Sequence, residues 1–354
     1  MNKNYHVSFD YLRVLAMLFV MWPHLGLNLN PNWWIGIKVN QYINNPFAIG
    51  SNFGILGVCI FFIISGYLLS EQMVDKKNRN ILPILMKRVK NIVLPLWFYM
   101  LCFFCLVQIL GLLDINTYWS QFNIIEWIKT CTLYHFIFDG QAELVNGVLW
   151  YLLPYFVFVI LVSIIGKIIK KVKFLVLYIQ SIILISICIA FLWTNHLAIF
   201  NFIIFVAIPV YGIIMCFYKM NLFDLKEAII YGIINSLIFA IGLIILRPDL
   251  YYNEHYFVSV IYSIIIILSI ILFESKLKEN YLVTQISNYS FCFYIIHSLY
   301  GGMIISYLWG SRGWNYTIVW IIALMFNNII SCFSTRIYKN IVVKLSSKKK
   351  AGGN

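Results

Sequence analysis

The sequence has 354 residues, of which 62% are hydrophobic and only 11% are charged, and its formal net charge is +13. Soluble domains carry about 25% charged residues, so this composition excludes an ordinary soluble protein and points to a membrane protein. The basic residues fall in short clusters between apolar runs, a pattern typical of cytoplasmic loops rather than of a nucleic-acid-binding surface.

Apolar runs predict the fold class: an all-α, polytopic bundle of about ten transmembrane helices. A spanning helix needs roughly 20 apolar residues. The predicted spans are 8–28, 53–70, 92–112, 148–166, 174–194, 198–217, 228–246, 256–273, 286–308 and 316–337. The first run lacks a small-residue cleavage site, which favours a retained span. A tight hairpin is expected at 194–197. Residues 1–340 are predicted to form one transmembrane domain, followed by a basic cytoplasmic tail at 341–354.

Charge distribution predicts the orientation of the spans. Ten spans place both termini on one side, and the segments on that side hold 21 of the 26 Lys and Arg residues. Because basic residues are retained in the cytoplasm, both termini are predicted to be cytoplasmic. The long outer segments, 29–52 and 113–147, are rich in Asn and aromatic residues. They fit either an interfacial aromatic belt or a sugar-binding lip.

The first span carries three ionisable side chains, which are costly inside a bilayer and therefore indicate function. Arg13 and His24 are eleven residues apart, so they share one helix face and lie roughly 16 Å apart along the axis. Asp10 can pair with Arg13 at i, i+3, and Pro23 invites a kink before His24. The simpler alternative is an arginine that extends to the interface and a histidine hydrogen-bonded within the bundle.

This arrangement suggests a division of labour along the first span. Arg13 lies near the cytoplasmic surface, where it could meet the phosphates of an anionic donor. His24 lies deeper, where a neutral imidazole could accept a proton from a hydroxyl or carry an acyl group.

Five segments in order resemble the membrane-bound acyltransferase family 3. The opening, FDYLRVLAMLFVMWPH, matches the family's mark of an Arg, ten intervening residues and a His through Arg13 and His24. The second span resembles the family's Gly-x-x-x-Phe-Phe-x-x-Ser-Gly-Tyr segment through GVCIFFIISGYLLS. Further similar segments are KRVKNIVLPLW, VLWYL and ISNYSFCFYIIH.

The resemblance implies transfer of an acyl group, usually acetyl from acetyl-CoA, to a sugar hydroxyl of a cell-envelope or exported glycan. It makes His24 the catalytic residue, and Arg13 and the basic stretch of Lys87, Arg88 and Lys90 the donor-binding residues. One departure is Asn91, which stands where relatives often have a second Arg. Lys87 and Lys90 could supply that charge, although without the bidentate fork of a guanidinium.

Further polar residues in or beside the spans are candidate substrate or supporting residues. Ser65 could serve the site or only let helices pack closely. Trp150 fits an interface anchor or an acceptor contact. Tyr289, Ser290 and His297 could form a polar lining opposite His24 or hydrogen-bond one helix to another.

The competing functions are a transporter or export protein, in which Arg13 and His24 would line a path, and a structural membrane subunit. No internal repeat of the kind that transporters often show is evident. No metal-binding motif or permanently bound cofactor is predicted. The low Ala and high Ile, Asn and Lys content is typical of an AT-rich bacterial genome, so the expected location is a bacterial plasma membrane.

Overall fold

A computed structural model describes residues 6–49, 53–74, 80–112, 122–139, 146–169, 171–193 and 198–351. Within these ranges the chain is helical and contains no β-strand. The described residues form fourteen α-helices: α1 (Val7–His24), α2 (Trp34–Val39), α3 (Gly54–Val74), α4 (Ile81–Arg88), α5 (Leu94–Leu112), α6 (Ile124–Cys131), α7 (Leu152–Ile168), α8 (Leu175–Leu192), α9 (Ile208–Lys219), α10 (Leu225–Leu246), α11 (Pro248–Tyr252), α12 (Tyr256–Leu272), α13 (Tyr281–Ile305) and α14 (Tyr316–Ala351).

Eight helical segments of the described chain are long and apolar enough to cross a bilayer. They are Gly54–Val74, Ile81–Leu112, Gly147–Ile168, Val172–Leu192, Asn201–Lys219, Leu225–Leu246, Tyr281–Ser311 and Tyr316–Lys344. Two shorter or more polar helices, α1 with 18 residues and α12 with 17, correspond to the first and eighth predicted spans. The predicted polytopic, all-α membrane fold is therefore confirmed, and each predicted span coincides with a helix.

Close helix contact organises the centre of the bundle. α3 packs against α1, α9 and α12, and α13 packs against α1, α5 and α14. At the crossing of α3 and α9, a Cβ on Gly66 would overlap the main-chain oxygen of Pro209, and one on Gly212 would overlap that of Ile63. Small residues permit this backbone approach, which is a common basis of helix association in membranes.

Several helix ends differ from the predicted boundaries. α1 ends at His24, one residue after Pro23, instead of continuing to residue 28. The third span begins at residue 81 rather than 92, because α4 runs through a π-helical turn (Val89–Val93) into α5. α14 continues to Ala351 through the region predicted as a tail. The hairpin at 194–197 and parts of both long outer segments lie outside the described residues.

Candidate active site

Five elements enclose a cavity of about 270 Å³ near the predicted cytoplasmic end of the bundle. They are α1, α3, α13, the stretch from α4 into α5, and a 3₁₀ turn (Gly147–Tyr151) that leads into α7. We call this space the arginine cavity. Its polar lining consists of Arg13, Ser65, Arg88, Asn91, Tyr151, Tyr155, Ser290 and Tyr294. Two guanidinium groups and several hydroxyls therefore face one space, and no acidic side chain of the described residues lines it.

Arg13 is held at the edge of the arginine cavity by a buried carboxylate. Its Nη1 lies 3.2 Å from Asp10 Oδ1, and Ser287 Oγ donates to the same oxygen at 2.6 Å. Arg13 Nη1 also lies 3.5 Å from Ser287 Oγ. Asp10 is buried whereas Arg13 is half-buried, so the carboxylate fixes the guanidinium while leaving part of it facing the cavity. The i, i+3 pairing expected from the sequence is present.

Arg88 faces the arginine cavity with an unsatisfied donor. Its side chain is half-buried, and its Nε is buried without a hydrogen-bond partner among the described residues. A buried donor left unpaired costs about 1–3 kcal/mol, and more when it is charged. The half-buried remainder of the side chain lines the cavity, where the positive charge of the guanidinium favours an anionic ligand.

Ser65 and Ser290 line the same cavity, but their hydroxyl protons are engaged elsewhere. Ser65 Oγ donates to the Phe61 carbonyl at 2.7 Å and lies 3.3 Å from Tyr151 Oη. Ser290 Oγ donates to the Ser287 carbonyl at 2.8 Å. Each serine oxygen therefore remains available to a ligand mainly as an acceptor.

A pair of histidines lies beyond the arginine cavity. His24 ends α1, and its ring centroid is 5.2 Å from that of His297 on α13, with the rings inclined at 62°. His297 Nδ1 lies 2.8 Å from the Tyr294 carbonyl and 3.2 Å from the Phe293 carbonyl. Carbonyl oxygens only accept, so Nδ1 must carry a proton. In the neutral ring Nε2 is then an acceptor, and it is buried without a partner among the described residues.

The end of α1 is fixed by α14. Tyr316 Oη contacts the Leu25 and Gly26 carbonyls at 2.8 and 3.0 Å. The Trp33 indole donates to Thr317 Oγ1 at 3.0 Å and stacks on Trp320 with centroids 5.5 Å apart. These contacts hold the turn that follows His24. Trp33, expected in an aromatic belt or a sugar-binding lip, is instead buried against the last helix.

Asn327 on α14 supports the other histidine. Its Nδ2 donates to the His297 carbonyl at 3.2 Å, and its Oδ1 is buried without a partner in the described part of the chain. Neither Asn327 nor Tyr316 was anticipated from the sequence. The only available signal was the presence of polar residues in an otherwise apolar last span.

Tyr294 connects the two parts of the site. Its side chain lines the arginine cavity, its ring centroid lies 6.3 Å from that of His297, and its hydroxyl donates to the Val148 carbonyl. The phenol therefore stands between the guanidinium groups and the histidine pair. A ligand that reached from one to the other would pass this ring.

Four of the predicted site residues lie away from the arginine cavity and the histidine pair. Lys87 is exposed and does not line the cavity, and Lys90 faces a neighbouring one. Trp150 packs on Phe205 with centroids 4.9 Å apart. Tyr289 Oη donates to Asn328 Oδ1 on α14 at 3.2 Å. Thus the structure brings together Asp10, Arg13, Ser65, Arg88 and Ser290 on one side of Tyr294, and His24 and His297 on the other.

Fold and site together define a multi-pass helical membrane protein with a cavity lined by two arginines beside a pair of histidines, of which His297 is buried and His24 is half-buried. A family model described as an acyltransferase domain, acyltransferase family 3, matches residues 6–336. The chain belongs to this family and is an acyltransferase. No curated protein and no solved structure gave a match to the chain.

Proposed function

We propose that the protein transfers an acyl group, acetyl from acetyl-CoA, to a hydroxyl of a cell-envelope or exported polysaccharide at a bacterial plasma membrane. The observation that carries this proposal is the arginine cavity and its position next to the histidine pair. Arg13 and Arg88 suit the phosphates of a coenzyme that enters from the cytoplasm. His24 and His297 lie past Tyr294, on the side where an acceptor would approach from the opposite face.

The proposed chemistry requires one imidazole nitrogen on the acceptor hydroxyl. His24 takes the hydroxyl proton as the oxygen attacks the thioester carbonyl, and the tetrahedral intermediate then expels the thiolate. The imidazolium returns its proton to the sulfur, so the products are an ester and a free thiol. Attack by His24 itself, to give an acyl-imidazole that the hydroxyl then resolves, uses the same geometry.

Four polar residues of the arginine cavity and the neighbouring Asp10 have roles in this scheme. Asp10 positions Arg13, and Arg13 and Arg88 bind the donor. Ser65 and Ser290 present oxygen acceptors along the path of the donor arm. Because the donor and acceptor sites adjoin inside the bundle, the acyl group can cross most of the membrane without the coenzyme leaving the cytoplasmic side.

The first test is ester analysis of surface glycan from cells that carry the wild-type chain, His24→Ala, or no gene. We expect esters with the wild type and a drop of at least about 100-fold with His24→Ala, the range for loss of a general base. His255→Asn is the matched control. The His255 side chain is exposed, and its backbone is in the left-handed conformation with φ 48°. Asn tolerates this conformation.

Two outcomes would contradict the proposal. If esters persist in His24→Ala cells at wild-type protein levels, His24 is not the transfer residue. If deletion of the gene stops glycan from reaching the surface while acylation per sugar is unchanged, the protein is an export protein.

A further inference from the structure

A cavity of about 880 Å³ lies apart from the candidate active site. Its lining comes from α9, α10 and α12 and from Tyr67 of α3, and it shares no residue with the arginine cavity. The lining extends from Ser236, near the middle of α10, to the predicted cytoplasmic ends of α9, α10 and α12. We call this space the α10–α12 crevice.

The crevice is open where α10 and α12 diverge. Toward the predicted outer side, α11 joins the two helices, and Phe239 of α10 contacts the rings of Tyr256 and Phe257 on α12. Toward the cytoplasmic side they line opposite walls, with α9 between them. From Leu225 to Ser236, eleven positions further along α10, the crevice is about 16 Å long at 1.5 Å per residue. Because the hydrocarbon core of a bilayer is roughly 30 Å thick, this length corresponds to one leaflet.

The walls of the crevice are largely aliphatic and open toward the membrane. Ile229 and Ile233 on α10 and Leu268 and Leu272 on α12 line it, and all four side chains are exposed at the surface of the chain. A Cβ on Gly232 would have no atom within 4 Å, so the wall of α10 leaves space at this point. An apolar space that is left empty lacks dispersion contacts on one side. Within a bilayer, the hydrocarbon chain of a lipid supplies them.

The two ends of the crevice differ in polarity. At the closed end, Tyr211 Oη and Ser236 Oγ lie 2.8 Å apart, so each hydroxyl has a hydrogen-bond partner. At the cytoplasmic end, Lys219 Nζ donates to Glu274 Oε2 at 3.0 Å. Ser8 Oγ donates to Glu274 Oε1 at 2.7 Å and thereby holds the carboxylate in place. Lys219 and Glu274 are the charged residues of the described lining, so the mouth presents one positive and one negative group.

We propose that the α10–α12 crevice binds a zwitterionic glycerophospholipid of the cytoplasmic leaflet, with one acyl chain between α10 and α12 and the headgroup at Lys219 and Glu274. The lipid phosphate accepts from Lys219, and the headgroup ammonium donates to Glu274, so both charges are matched. An anionic phospholipid has no cationic group for Glu274, and the site discriminates against it. This lipid site does not depend on the proposed acyl transfer, because it shares no residue with the arginine cavity or the histidine pair.

The test measures lipid binding to purified, delipidated protein by native mass spectrometry. The probes are phosphatidylethanolamine and phosphatidylglycerol with identical acyl chains. We expect the wild type to bind one phosphatidylethanolamine with at least about 3-fold higher affinity than phosphatidylglycerol, in the range of a partly exposed ion pair. Gly232→Leu should lower the affinity for the first phosphatidylethanolamine at least about 5-fold, because the leucine displaces part of the bound chain. Gly111→Leu on α5 is the matched control, since a Cβ there also has no atom within 4 Å and Gly111 does not line the crevice.

Glu274→Gln tests the headgroup separately. The amide keeps an oxygen for Ser8 but leaves the charge of Lys219 without a carboxylate in the lining. The preference should therefore shift to phosphatidylglycerol by about 3-fold or more. Unfolding midpoints in detergent establish that each variant is folded. If Glu274→Gln does not fold, the comparison of the two glycine variants still decides whether the crevice binds lipid.

Equal affinity of Gly232→Leu and Gly111→Leu for the first lipid would overturn the site. A wild type that binds both phospholipids equally would also overturn it. A dimer of the delipidated wild type that dissociates in Gly232→Leu would show that a second copy of the chain occupies the crevice instead of a lipid. None of these results depends on whether the protein transfers an acyl group, so failure of the lipid site and failure of the proposed function are distinguished.

Discussion

His297 holds its Nδ1 proton against two main-chain carbonyls, which determines what its other nitrogen can do. The ring is fully buried, so water does not compete for Nε2, and that atom presents a lone pair to its surroundings. The ring of His24 is the nearby titratable group, 5.2 Å away between centroids. This lone pair can accept a hydrogen bond from an N–H of His24. That bond would orient the other ring nitrogen of His24 toward the acceptor hydroxyl.

His297→Leu is predicted to lower kcat by about 10-fold or more while leaving the KM for the donor unchanged, because the arginine cavity, the proposed donor site, lies on the other side of Tyr294. The fold should survive, since the Phe293 and Tyr294 carbonyls keep their positions within α13. His297→Gln places an amide oxygen near the position of Nε2 and should restore part of kcat. Steady-state kinetics on purified variants gives both constants. A rise in KM with unchanged kcat, or no difference between Leu and Gln, would contradict a positioning role.

Residues close in sequence were predictable as a group, whereas partners distant in sequence were not. The spacing of Asp10, Arg13 and His24 on one helix follows from 100° per residue, and the structure shows the Asp10–Arg13 pair. Asn327 carries no comparable local signal. In the sequence it is one polar residue of the last apolar run, and only the packing of α14 on α13 brings its Nδ2 to the His297 carbonyl.

At the scale of elements, the crossing of α3 and α9 determines how Ser65 reaches the arginine cavity. Gly66, the next residue, lies against the backbone of α9 at Pro209. Neither helix can move outward without loss of this contact, since Gly212 meets α3 in the same way. The crossing therefore sets the position of one wall of the arginine cavity.

Gly66→Ala and Gly212→Ala are each predicted to destabilise the protein by about 1–3 kcal/mol, because the added methyl group meets backbone that cannot give way. Gly232→Ala on α10 is the control. A Cβ there has no atom within 4 Å, so this change should be neutral or slightly stabilising through helix propensity. Thermal unfolding in detergent measures all three. Equal midpoints for Gly66→Ala and Gly232→Ala would show that the crossing tolerates a wider separation.

The sequence predicted which elements exist better than where they end. Hydropathy predicts a loop at Lys87, Arg88 and Lys90. Lys and Arg are nevertheless good helix formers, and no Gly or Pro lies between Lys87 and the start of α5 at Leu94. The helix therefore begins at residue 81. α1 ends early for a different reason, because the Leu25 and Gly26 carbonyls bond to Tyr316 at the far end of the chain.

At the scale of the whole molecule, the charge distribution and the position of the site predict the same orientation in the membrane. The arginine cavity lies at the end of the bundle that carries the basic cluster of Lys87, Arg88 and Lys90, and the proposed donor requires that end to face the cytoplasm. α12 is the most stringent place to test this, because its 17 residues are fewer than the roughly 20 that a spanning helix needs. Asn253 and Lys276 flank it, and both are exposed.

In intact cells, a membrane-impermeant maleimide should label Asn253→Cys, whereas Lys276→Cys should be labelled only after permeabilisation. The native cysteines give little background, because a thiol surrounded by apolar groups seldom forms the reactive thiolate, and the unmodified chain measures what remains. Labelling of both positions in intact cells would mean that α12 does not span the membrane. The reverse pattern would place the arginine cavity outside the cell, where it could not draw on a cytoplasmic thioester, and would contradict the donor assignment together with the orientation.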